Sequence, residues 1–134
     1  MEDGIIGEIR MFAGTFAPQN WMLCAGQLLP IMDYQALYSV IGNYYGGDGI
    51  HNFALPDLRS RVPIGVGQGP NLSYVTLGQK LGVELDDSTQ VQVSAGTENE
   101  EKVNVEFAQR KDNHQPSLGI NYIICVAGLY PMRP

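Results

Sequence analysis

Glycine at 16 positions and proline at 8 interrupt this 134-residue sequence too often for long regular elements. Glycine accepts backbone angles that other residues resist, and proline removes a donor and fixes φ, so such a chain reads as turns joining short strands. A hydrophobic share of 44% with 16% charged residues is that of a folded chain, and the length suits one domain with a modest core. The expected class is α+β, mostly β, with short strands, glycine-rich loops and one short helix.

Residues 5–13 alternate partly between apolar and polar or small side chains, as a half-buried strand does. A turn follows over Gly14–Asn20, then a short apolar run, Trp21–Ala25, closed by Gly26. Leu28–Ile31 reads as an edge strand because Pro30 cannot donate to a ladder. The helix comes next, with Asp33 as its expected N-cap and Leu37, Val40, Ile41 and Tyr44 on one face; Tyr45-Gly46-Gly47-Asp48-Gly49 is expected to stop it. Phe53–Arg59 and Val62–Gly67 are proline-punctuated extended segments, and the glycine run beyond Gly65 reads as a tight backbone crossing. Val91–Ser94 and Val103–Phe107 alternate as the strands of a hairpin around a polar loop. The apolar run Leu118–Leu129 reads as a central or interface strand.

The formal charge is −6, and the excess sits on one stretch: Glu84, Asp86, Asp87, Glu98, Glu100 and Glu101, with no Lys or Arg among them. This balance argues against a nucleic-acid partner. The acidic stretch is either a solvated loop or a charged docking surface. Cys24 and Cys125 each lie in an apolar run and are expected to be buried reduced thiols, with a disulfide open only if their strands are neighbours. No basic-then-apolar leader and no span of about 20 apolar residues is present, so synthesis in the cytoplasm without membrane insertion is expected.

No catalytic constellation emerges. His51 and His114 are the only histidines, too few and too isolated for a tetrahedral metal site within one chain; His51 reads as a loop residue, although a symmetric axis could gather three copies of it. Asp57, Arg59 and Arg61 invite an active-site reading, but carboxylate–guanidinium pairing that locks an irregular, proline-bounded segment is the better one. Gly65-x-Gly67-x-Gly69 lacks the Lys-Ser/Thr of a phosphate-binding loop, and there is no G-x-S-x-G elbow. No catalysis, cofactor or metal is therefore expected. Among the aromatic residues Trp21 is expected in the core, and Tyr44, Tyr45 and Tyr74 are the candidates for exposed contact with a partner or a sugar.

Taken in order, several pieces of residues 7–70 resemble the phage tail collar family, which includes the microcystin-dependent proteins and the collar of some short tail fibres. They are Gly7-Glu8-Ile9-Arg10, Phe16-Ala17-Pro18, Trp21-Met22-Leu23-Cys24-Ala25-Gly26-Gln27-Leu28-Leu29-Pro30, Ala36-Leu37-Tyr38-Ser39, Tyr45-Gly46-Gly47-Asp48-Gly49 and Phe53-Ala54-Leu55-Pro56-Asp57-Leu58-Arg59-Ser60-Arg61-Val62-Pro63. Leu77-Gly78, Gly82-x-Glu84, Gln115-Pro116, Asn121–Ile124 and Ala127-Gly128 fit the family's later segments. Ala25 and Ser60 stand where many members carry Asp or Asn and Gly, and the His-x-His that binds metal on a trimer axis in fibre-like relatives is missing, so no metal site is carried over.

The resemblance implies a collar domain over 1–76, completed as one compact unit by a hairpin and strand in 77–134. It also implies an intertwined trimer, of itself or with close paralogues, among other tail or injection-particle proteins. The corresponding function is a non-enzymatic collar, cap-adaptor or fibre-associated component of a phage tail or contractile injection system. A receptor module for a surface glycan is the alternative.

Overall fold

The computed structural model describes residues 4–86, 111–112 and 114–134. Two units emerge: Met1–Gln79 with Gly119–Pro134, and Lys80–Leu118. The hairpin expected over Val91–Phe107 lies outside the described residues, as do Asp87, Glu98, Glu100 and Glu101 of the acidic stretch.

The first unit holds a three-stranded antiparallel sheet in the order β1 (Ile9–Phe12), β9 (Asn121–Cys125), β2 (Trp21–Leu23). The apolar C-terminal run therefore supplies the central strand, with Ile123, Ile124 and Cys125 all buried. Arg10 pairs with Ile123, Met22 with Ile124 and Trp21 with Cys125. The strand expected over residues 5–13 is shorter. Gly7 turns it at φ 89°, and a Cβ there would lie 2.8 Å from Val40, so the backbone must pass close to the helix.

That helix, α1 (Gln35–Ile41), buries Leu37 and Ile41 four residues apart on one face. Two expectations about its ends are corrected. Asp33 falls in a preceding 3₁₀ turn, Ile31–Asp33, and the N-cap is Tyr34, with no side-chain cap. The helix closes at Gly42, at φ 55°, whose N–H donates to the Tyr38 carbonyl, well before the glycines at 46–49. Tyr44 therefore lies beyond the helix and is exposed.

A second ladder pairs β3 (Leu28–Pro30) with β4 (Asn52–Ala54), Leu29 opposite Phe53 and Pro30 at the end where no donor is required. Between these layers lies the core: Ile6, Cys24, Leu29, Leu37, Ile41, Phe53, Leu55 and Ile124. Phe53, Leu37, Leu55 and Ile124 are wholly inaccessible to solvent.

Strand register also decides the cysteine question. Trp21 lies opposite Cys125, and the Cys24 N–H continues the ladder by donating to Tyr122 O at 2.9 Å. Alternation then puts Cys24 on the face of Ile124 and Cys125 on the face of Ile123. The strands are neighbours, yet the thiols face opposite sides of the sheet; neither is in a disulfide, and both are buried. Burial pushes the Cys24 thiol up to about 11.

In the second unit β7 (Leu85–Asp86) pairs antiparallel with β8 (Lys111–Asp112). His114 Nε2 lies 3.2 Å from Glu84 Oε1.

Candidate functional site

Three loops of the first unit carry most of the motif residues, and the fold brings them around Phe53 and Leu55. In the first, Gly46-Gly47-Asp48-Gly49, Ala54 N donates to Gly46 O at 3.0 Å. A Cβ on Gly47 would lie 2.5 Å from Phe53 Cα, so at φ 89° only glycine fits against the strand. Asp48 organises the rest: its Oδ1 accepts backbone N–H groups of Ile50, His51 and Asn52 at 2.8, 2.8 and 3.0 Å. Asp48 N in turn donates to Asn52 Oδ1 at 2.9 Å. Those backbone donors, Asn52 foremost, with a lesser contribution from the His51 side chain, hold the carboxyl well below the usual carboxylate range. His51 is an exposed loop residue, its Nδ1 3.5 Å from Asp48 Oδ2.

The second and third loops close on each other. Gly26 N donates to Pro56 O at 3.3 Å and Leu58 N to Cys24 O at 3.0 Å, while Ala25 bridges Asp57. A side chain on Gly26 would sit 3.2 Å from the Asp57 carboxylate. Asp57 and Arg59 form a bidentate pair at 2.8 and 2.9 Å, and Arg59 N donates to the same carboxylate at 3.2 Å. The geometry is that of a locked loop, with both carboxylate oxygens accepting from Arg59 two residues on. Arg61 is exposed beyond it.

Trp21 is half-buried rather than in the core. Arg10 lies over its ring at 5.0 Å and is held there by Glu8, whose Oε2 accepts from Nε at 2.6 Å; this Arg10 hydrogen bond in turn holds the Glu8 carboxyl below its ordinary range. Of the three tyrosines expected at the surface, Tyr44 and Tyr74 are each 62% exposed, whereas Tyr45 is half-buried against the core. Burial raises the Tyr45 phenol, helped by the nearby Cys24 thiol.

The segment from Arg61 to Leu77 is different in kind, since none of its residues is buried. Val62, Ile64 and Val66 alternate along it, with Leu72, Tyr74 and Leu77 following, all exposed. The tight crossing expected at Gly65–Gly69 is corrected. Nothing lies within 4 Å of a Cβ placed on Gly65 or Gly67. The run instead enters a small hairpin of β5 (Gly67–Gln68) and β6 (Tyr74–Val75), turned through Asn71 at φ 59°. Its far end returns to the helix side, where a side chain on Gly78 would collide with the Tyr44 carbonyl. The sequence signal for this surface was the period-two pattern at Val62, Ile64 and Val66, which reads as a half-buried strand although the chain buries neither face. Arg10 over Trp21, and Asn52 closing the Asp48 loop, carry no such signal.

Among the described residues no three His, Cys, Asp or Glu side chains gather as a metal site, and no helix is long and apolar enough to cross a membrane.

Among the described residues, small antiparallel strands and one α-helix define a mostly-β α+β fold whose motif residues build loops. Residues 7–63 match the phage tail collar domain, as the motif resemblance implied. The match covers somewhat less than half of the chain, and it stops where the exposed alternating segment begins. The matched domain is one of phage tails. No curated protein matches the sequence.

Proposed function

We propose that the protein is a non-enzymatic architectural component, a collar, cap-adaptor or fibre-associated part of a phage tail or tail-like injection particle. In this reading it assembles as an intertwined trimer, of itself or with close paralogues. The observation that carries the proposal is the Arg61–Leu77 segment, which has a strand's apolar alternation but leaves Val62, Ile64, Val66, Leu72 and Tyr74 exposed. An apolar ridge of this extent on a chain whose own core is already closed is best accounted for by burial against neighbouring copies. Asp57, Arg59, Gly46, Gly47 and Asp48 then act as the rigid mount of that segment rather than as chemistry. Light scattering of the purified protein at several concentrations tests the reading. A stable trimer that falls to monomer on joint Val62→Ser, Ile64→Ser and Val66→Ser substitution is expected; a wild-type monomer at every concentration contradicts self-association.

The exposure of Tyr44 and Tyr74 favours one second reading, a receptor module that stacks these rings on a surface glycan. Glycan-array binding abolished by Tyr44→Ala or Tyr74→Ala would establish it, and an array without signal would remove it.

A further inference from the structure

The Asp48–Gly49 linkage joins the two residue types between which an aspartyl side chain most readily attacks its own backbone, because glycine offers the least obstruction to ring closure. In that reaction the Gly49 nitrogen adds to Asp48 Cγ. A C–N bond forms, a C–O bond breaks, and the amide hydrogen leaves with the hydroxyl as water. Water then reopens the five-membered imide at either carbonyl, and opening at the backbone carbonyl leaves the chain running through the side chain as isoaspartate. No oxidant or co-reactant is needed, and the mass does not change.

The loop engages both partners in this step. Gly49 N–H donates to Asn52 O at 2.9 Å, so the nucleophile is occupied. Asp48 Oδ1 is fixed by three backbone donors over the turn that follows, at Ile50, His51 and Asn52, and cannot swing toward Gly49 N without losing them. Asp48 N is tied to Asn52 Oδ1, which pins the residue from its other side. The depressed Asp48 carboxyl adds to this, since the neutral acid is the reactive form. Exclusion of water plays no part, because the Asp48 side chain is 44% exposed.

We infer that Asp48–Gly49 is a latent isoaspartate site, held unreactive by the hydrogen bonds of the Gly46–Asn52 loop and converted only when that loop opens. The fold cannot easily discard the linkage. Gly49 sits at φ 70° with Asn43 Nδ2 2.8 Å from where its Cβ would be, and Asp48 Oδ1 holds three backbone donors at 2.8–3.0 Å. Conversion would then follow the population of the open loop, as other modifications of transiently opened segments do.

The full-length protein, incubated in warm near-neutral buffer, tests this by isoaspartyl methyltransferase labelling and fragmentation of the tryptic peptide that contains Asp48. Cleavage at Arg10 keeps the other Asp-Gly linkage, Asp3–Gly4, on a separate peptide. Several-fold slower conversion of Asp48 in the folded protein than in urea is expected, with Asn52→Ala accelerating it in the folded protein and not in urea. Equal rates in the folded and urea-unfolded wild type would overturn the protection, and absence of conversion in urea would overturn the latent site. Both decisive outcomes come from the wild type, so an Asn52→Ala chain that failed to fold would leave the inference testable.

Discussion

Two neighbouring stretches of the first unit treat similar residues in opposite ways. Between Trp21 and Leu58, short strands, one two-turn helix and three loops close around Phe53, Leu37 and Leu55, which are wholly buried. Between Arg61 and Leu77, residues of the same apolar character stand in an alternating row and none is buried. Glycines mark the same contrast. Gly47 would strike the Phe53 backbone if it carried a side chain, whereas Gly65 and Gly67 face open space. Gly47 therefore serves close approach in the scaffold, a role that Gly65 and Gly67 do not have. In the proposed assembly, this alternating row is what neighbouring chains would cover.

Substitutions that respect this division should behave differently on its two sides. Phe53→Ala removes the centre of the scaffold and is expected to cost about 3–5 kcal/mol, enough to unfold much of the protein, as denaturant titration would show. Gly47→Ala combines a positive φ with a backbone collision; the conformation alone costs about 1–3 kcal/mol, and the thermal midpoint should fall accordingly. Gly65→Ala, in open space, should shift single-chain stability by no more than about 0.5–1 kcal/mol, in the stabilising direction where its backbone accepts alanine. Any larger loss would mean that another copy approaches the backbone there.

Acid should act on the scaffold. Because the Asp48 carboxyl is depressed in the fold, its contribution is complete above its unfolded value of 3.8 and is lost as the pH falls below it. Wild type should therefore lose stability in that range more steeply than Asp48→Asn, read as denaturant midpoints at a series of pH values. Base acts through Cys24: with the thiol raised from 9.0 to about 11, stability should decline as the pH rises past 9.0, and Cys24→Ala should flatten that decline.

Much of the scaffold was legible in the sequence because its elements follow local rules. The helix face at Leu37 and Ile41, the edge position of Pro30 and the burial of Cys24 and Cys125 all follow from spacing or residue type. The helix ends were misplaced because Asp33 is a good cap in isolation, while the 3₁₀ turn at Ile31–Asp33 moves the start to Tyr34 and Gly42 supplies an earlier stop. Tyr45 looked like a surface ring beside glycines, but the turn that follows the helix folds it back against the core. Trp21 looked like core, but it is half-buried, with Arg10 over its ring. The two thiols needed the register: Trp21 opposite Cys125 fixes their faces, and no spacing in the sequence contains that.

The central claim is that the Arg61–Leu77 arm is covered by other copies while the scaffold is closed on its own. Hydrogen exchange followed by mass spectrometry across a dilution series tests it most directly, comparing peptides from the arm with peptides spanning Asn52–Leu58. Scaffold amides should stay protected at every concentration, and arm amides should be protected at high concentration and lose protection on dilution. Arm amides that exchange freely at the highest concentration, with the scaffold still protected, would contradict the account.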